Sequence, residues 1–144
     1  MKSNKTTKPA LQDVKVHVRL KLAALWTSLM FCYIYGDYFG LFQPGNLQDM
    51  LKGRMGPLGP TTQGVLLGTS ALLAVPGLMI FLSLVMKPVI NRAANIVLGL
   101  LYTAVMLVSM PGAWWFYLFL GAIEIVLSLL IVWYAWRWPR DAAQ

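Results

Sequence analysis

The sequence predicts an all-α, polytopic membrane protein, a four-transmembrane-helix bundle with both termini cytoplasmic. Three observations lead there. First, 58% of the 144 residues are hydrophobic and only 12% are charged, where a soluble domain carries roughly a quarter charged residues. Second, four apolar runs, at about 22–42, 64–86, 93–110 and 113–136, are long enough to cross a hydrocarbon core of ~30 Å at ~1.5 Å per residue. Third, lysine and arginine alternate between the ends of these runs in the way the positive-inside rule requires.

Residues 1–21 read as a basic cytoplasmic arm carrying Lys2, Lys5, Lys8, Lys15, Arg19 and Lys21. Met1 to Ala10 is polar and expected to be disordered. From Leu11 to Lys21 apolar and charged residues alternate. That period suits a strand, but a lone strand at a membrane has no partner for its backbone, so a helical lead-in is the better expectation. The arm abuts a span, so its charge serves lipid attraction and topology rather than nucleic-acid binding. The following apolar run is too long for a signal-peptide core and lacks a small-residue cleavage pattern, so it is expected to be retained.

The first span, 22–42, has an unusually polar and aromatic outer half, with Cys32, Tyr33, Tyr35, Asp37 and Tyr38. Gly36 and Gly40 make a small-xxx-small pair, which predicts close helix packing. The 43–63 connection is broken by glycine and proline. Only Asn46 to Lys52 is expected to form a helical turn or two, and the segment reads as an ordered loop, with an interfacial helix or a lid as the other readings. The second span, 64–86, repeats the small-residue pair at Gly64 and Gly68 and should kink at Pro76-Gly77. Lys87 to Arg92 is expected to be a tight turn, and the third span, 93–110, follows. Pro111-Gly112 then predicts an antiparallel hairpin with the fourth span, 113–136. Aromatic residues mark both ends of that span, Trp114 and Trp115 at one and Trp133, Tyr134, Trp136 and Trp138 at the other. Arg137 and Arg140 close it, and 141–144 is a tail. Residues 22–140 thus make one transmembrane domain. Lys87, Arg92, Arg137 and Arg140 share a side with the basic arm, leaving only Lys52 and Arg54 opposite.

Several blocks, Lys21 to Trp26, Phe31 to Gly40, Met55 to Pro60, Gln63 to Thr69 and Met110 to Trp114, resemble a bacterial domain-of-unknown-function family of small four-span membrane proteins. The resemblance covers nearly all of the chain after about residue 11. It implies a bacterial inner-membrane protein and no assigned activity. A looser similarity to the DoxX-like four-span proteins rests on size and span count.

The candidate chemistry centres on Glu124, because a carboxylate near the bilayer midplane costs at least ~2.5 kcal/mol to insert. Asp37 lies ~22 Å from the cytoplasmic edge, and the two acids are separated by ~9 Å in depth. Tyr117, Gly121, Glu124 and Ser128 share one helical stripe. Asn95, Gly99, Tyr102, Met106 and Ser109 form a second, and Trp26, Met30, Tyr33, Asp37 and Gly40 a third. Turned inward, they surround Glu124. One reading makes Glu124 a protonated acid bonded to Tyr102, Asn95 or a backbone carbonyl, tying two helices together. The other makes it a site for a proton, a cation or a cationic ligand, with Asp37 as an acidic mouth and Tyr33, Tyr102, Tyr117, Asn95 and Ser128 alongside. A remaining reading turns Glu124 toward an oligomer interface, and Asp37 could instead pair with Lys52 or Arg54 or cap a helix end. Gly36, Gly40, Gly64, Gly68 and Gly121 are the helix-packing positions.

His17 is the only histidine and Cys32 the only cysteine. No nucleophile–base pair, phosphate loop or metal-ligand cluster is apparent, so the reading leans away from an enzyme, and no cofactor or metal is expected. Two functional classes lead: a small transporter or channel-like protein using the intramembrane acid, or a non-catalytic accessory or assembly subunit; a third, a membrane enzyme or quinone-type redox protein, has least support. The expected partners are the bilayer and either a second copy or another membrane protein.

Overall fold

The computed structural model describes residues 14–139. The arm up to residue 13, Arg140 and the 141–144 tail lie outside the described residues. Every regular element among them is helical: α1 Val18–Gly40, α2 Asn46–Leu51, α3 Gln63–Val85, α4 Pro88–Ser109 and α5 Trp115–Trp136, with a 3-10 turn at Gly56–Leu58. Three of these, α3, α4 and α5, are long and apolar enough to cross a membrane. At 23 residues α1 matches them in length. Its hydropathy falls below theirs because it carries Arg19, Lys21 and Asp37 among tyrosines.

Helix α1 starts at Val18, four residues before the 22–42 run expected as the first span. No strand forms at 14–17, and the helix opens at His17, whose Nδ1 accepts the Arg19 amide at 3.3 Å. An imidazole acceptor satisfies one of the amides that a helix start leaves without an intrahelical partner.

The tight turn expected at Lys87 to Arg92 is not there. Helix α4 begins at Pro88, so only Met86 and Lys87 join it to α3. Proline at the first helical position loses nothing, because its missing N–H would be an orphan there and its φ is already helical. At the other hairpin Gly112 takes φ +77, and Ala113 N–H closes the turn on Met110 O at 3.0 Å. That left-handed conformation favours glycine.

Arg19 donates to Leu84 O at 2.8 Å, and Arg92 to Trp136 O at 3.5 Å. These contacts gather the starts of α1 and α4 with the ends of α3 and α5 at one end of the molecule, the basic end. The 41–62 connection covers the opposite end. Helix α1 packs between α3 and α5, α4 packs closely on α5, and α3 and α4 meet only sparsely.

The α4–α5 approach rests on glycine. A Cβ on Gly99 would lie 3.1 Å from Ser128 O and 2.7 Å from Val132 Cγ2. One on Gly121 would lie 2.6 Å from Met106 Cε. The other small-residue pairs behave differently. Gly40 and Gly68 have open space where a Cβ would be, Gly64 meets only Thr62, and Gly36 would make an ordinary contact with Leu120.

The packed core sits at the basic half, where Leu22, Trp26, Leu29 and Ile131 are fully buried. The outer half of α3 contributes nothing to it, since its buried residues are Pro76, Met79 and Ser83. The helix runs unbroken through Pro76.

Candidate functional site

Three inward stripes assemble the site. On α5 the buried residues are Gly121, Glu124, Ser128, Ile131 and Ala135. On α4 they are Asn91, Asn95, Gly99, Tyr102, Thr103 and Met106. Both follow helical spacing. On α1, Trp26 and Leu29 are buried and Tyr33 is half-buried.

Below Glu124, toward the basic end, the polar side chains are committed to one another. The Trp26 indole donates to Asn95 Oδ1 at 2.7 Å. Asn95 Nδ2 donates to Asn91 O at 2.8 Å and to Asn91 Oδ1 at 2.7 Å. Asn91 Nδ2 in turn donates to Ser83 O at 2.6 Å. This ladder ties α1 and α3 to α4. Ser128 shares a 2.7 Å hydrogen bond with Thr103 and accompanies it across the α4–α5 seam. Asn95 and Ser128 therefore hold helices together and do not line the cavity at Glu124.

Glu124 is 5% exposed. Neither expected partner bonds to it: Asn95 is held in the ladder, and the Tyr102 hydroxyl donates to Leu72 O at 2.5 Å. The acid instead faces a cavity of about 150 Å³ that also meets Tyr33, Asp37, Tyr102, Ser109 and Tyr117. At ~30 Å³ per molecule that space holds roughly five waters. Its floor is aromatic. Tyr102 packs edge-on to Trp26 at 5.9 Å between ring centroids, and Tyr33 lies 6.3 Å from Tyr102.

Gly36, Asp37 and Tyr117 also line a second cavity of about 540 Å³, so the two adjoin. This outer cavity lies under the 41–62 connection and adds Asn46, Asp49 and Phe116. The connection is ordered by its own backbone: Arg54 N–H reaches Asp49 O at 2.9 Å and Thr61 N–H reaches Gly53 O at 2.7 Å. Asn46 Nδ2 donates to Gly40 O at 2.9 Å, fastening α2 to the end of α1.

The expected residues thus divide. Tyr33, Asp37, Tyr102, Tyr117 and Glu124 meet at one cavity, with Gly36 at its edge, while Asn95 and Ser128 lie outside it. Sequence reasoning missed Asp49 and Asn91. Asn91 continues the α4 stripe one turn before Asn95, a signal hidden by reading Lys87 to Arg92 as a turn. All three carboxylates of the described residues, Asp37, Asp49 and Glu124, line these two cavities, and no lysine or arginine does. Among the described residues no cluster of histidine, cysteine and acids could hold a metal ion.

The all-helical fold of the described residues, with three helices long and apolar enough to cross a membrane, suggests a membrane protein. The chain belongs to DUF6326, a family of unknown function whose model matches residues 13–144. No curated protein and no solved structure matches it.

Proposed function

We propose that the protein binds a small cation, a proton, a monovalent ion or a small ammonium group, in the cavity at Glu124. The single observation that carries this reading is the pairing of three acids with two adjoining cavities that no basic side chain lines. A buried carboxylate needs a proton or a counter-ion to offset its desolvation. The tyrosine rings at the cavity wall would face a cation favourably.

In this reading all four long helices cross a bacterial inner membrane, both termini are cytoplasmic, and the cavity opens to the outer side. A cation enters beneath the 41–62 connection, passes Asp49 and Asp37, and stops at Glu124. The aromatic floor and the asparagine ladder support a blind site within one copy, which favours binding over a private channel. Transport would then need a second conformation or a second copy.

The test is a titration of the protein in neutral-lipid nanodiscs with sodium, potassium and tetramethylammonium, followed by thermal stability, beside ion and proton flux in proteoliposomes. The wild type should be stabilised by at least one cation and Glu124→Gln should not. Equal responses from both proteins would sink the reading.

A second reading, an accessory subunit or a homo-oligomer, draws on the outer half of α3. That half buries nothing, and Gly68 faces open space. Crosslinking through a cysteine placed at Gly68, in a Cys32→Ser background, would report such a contact.

A further inference from the structure

The basic end holds a cavity that the cation reading does not use. It measures about 780 Å³ and is the largest of the three. Its wall carries His17, Arg19 and Arg92 on one part and Val89, Ile96 and Trp138 on another. From these we infer that the cavity seats the headgroup of an anionic phospholipid, with a phosphate against the arginines and the first part of an acyl chain along the apolar wall.

Four observations converge. The first is charge. The described acids all line the cavities at the other end, so Arg19 and Arg92 face no carboxylate among the described residues. The second is an unused donor. Arg92 Nε is buried and has no hydrogen-bond partner among the described residues, while its Nη2 makes only a 3.5 Å contact with Trp136 O. A buried N–H without an acceptor is costly, and an anion oxygen would supply the acceptor.

The third is the backbone. Two helices of more than 20 residues, α1 and α4, start at this cavity. Lys87 gives α4 no side-chain cap, and the first intrahelical bond comes from Asn91 to Lys87 O at 2.9 Å. The amides of Val89 and Ile90 therefore precede the ladder and are open to an acceptor. Both helix dipoles present their positive ends to the same space. His17 adds a donor: its Nδ1 accepts from the Arg19 amide, so in the neutral ring the proton sits on Nε2.

The fourth is the apolar wall. A soluble phosphate has no use for Val89, Ile96 and Trp138, whereas a phospholipid does. Arginine is also the residue suited to bidentate phosphate contact. Arg92 also lies over the Trp136 ring, at 5.9 Å, but it lines the cavity, whereas Lys21, on Tyr134 at 5.1 Å, and Arg137, on Trp133 at 4.1 Å, do not. They would add a general attraction to the surface and no defined site.

The test uses the full chain in detergent with equimolar phosphatidylglycerol and phosphatidylcholine, read by native mass spectrometry. The wild type should retain phosphatidylglycerol about tenfold over phosphatidylcholine, in line with the attraction of paired cations for anionic lipid. Arg19→Gln with Arg92→Gln should bring the ratio near one, and Arg137→Gln should leave it at the wild-type value. Ala93→Phe keeps every charge and fills the cavity, so it should also lose the preference, which decides the matter if the arginine variant does not fold. A wild type without headgroup preference overturns the proposal. So does an Ala93→Phe protein that keeps the preference, or an Arg137→Gln protein that loses it, since either outcome assigns the effect to surface charge. Displacement of the lipid by millimolar inorganic phosphate would make free phosphate the ligand and overturn the lipid assignment.

Discussion

The Tyr102 hydroxyl donates to the carbonyl of Leu72, four residues before Pro76. In an unbroken α-helix that carbonyl would accept from residue 76, but proline has no N–H to give. The tyrosine on α4 fills the vacancy on α3, where the two helices otherwise meet only sparsely. The proline and the tyrosine are therefore one unit, and the unit occupies a hydroxyl that Glu124 would otherwise have as a partner.

This unit predicts a coupling. Tyr102→Phe should destabilise the protein by about 1–2 kcal/mol, the upper part of the range for interhelical hydrogen bonds in membranes. Pro76→Ala restores an amide to Leu72 O. In that background Tyr102→Phe should cost about 1 kcal/mol less, a double-mutant coupling measurable by unfolding in mixed detergent micelles. Equal costs in both backgrounds would mean that the two residues act independently.

The asparagine ladder predicts a contrast at neighbouring positions. Asn91→Ala strands a buried carbonyl of Ser83 and one Nδ2 hydrogen of Asn95, whose other bond, to the Asn91 carbonyl, survives, so a loss of about 1–3 kcal/mol is expected. Ser83→Ala removes a buried hydroxyl that has no hydrogen-bond partner and leaves the carbonyl in place. It should be neutral or slightly stabilising. The same unfolding measurement decides, and a Ser83→Ala loss as large as that of Asn91→Ala would contradict the hydrogen-bond assignment.

At the α4–α5 seam, Gly99→Ala and Gly121→Ala should differ. The Cβ added at Gly99 meets the Ser128 backbone oxygen at 3.1 Å, which moves only if a helix moves. At Gly121 it meets the end of Met106, a flexible side chain, at 2.6 Å. Gly99→Ala should cost about 1–3 kcal/mol and Gly121→Ala less. Reversed values would place the tight contact elsewhere.

How much of this was legible in the sequence follows from what each feature depends on. Helix α3, the hairpin at Pro111-Gly112 and the inward stripes on α4 and α5 depend on local composition and 3.6-residue periodicity, and both can be read directly. The start of α4 was misread because Lys87, Asn91 and Arg92 are polar, although Pro88 carried the signal for a first helical position. The small-residue pairs at Gly64–Gly68 and Gly36–Gly40 failed to name the close contact for another reason. Glycine spacing permits close approach, but the hairpin register decides which glycines meet a neighbour, and it selected Gly99 and Gly121. The Leu72–Tyr102 bond joins residues 30 positions apart, and nothing in either neighbourhood announces it. The grouping of Tyr33, Asp37, Tyr102, Tyr117 and Glu124 was accessible from the stripes. The commitment of Asn95 and Ser128 to other partners was not.

The blind shape of the acid cavity can be read by cysteine accessibility. With Cys32 replaced by serine, single cysteines at Val105, Ser109 and Ser128 sample the cavity and the layer beneath it. Val105 and Ser109 line the cavity. Ser128 is one turn past Glu124, 1% exposed and bonded to Thr103. Serine-to-cysteine changes are nearly isosteric, so the comparison of 109 with 128 carries little folding cost. A small charged thiosulfonate added from outside should modify Ser109→Cys fastest and Val105→Cys more slowly, while Ser128→Cys stays unmodified over the same period. Prior addition of a bound cation should slow Val105→Cys more than Ser109→Cys, because position 105 lies one helical turn further along α4 toward the basic end, on the way to the acid. If Ser128→Cys reacts as fast as Ser109→Cys, water passes the aromatic floor at Trp26 and Tyr102, and the site is a through-path rather than a pocket.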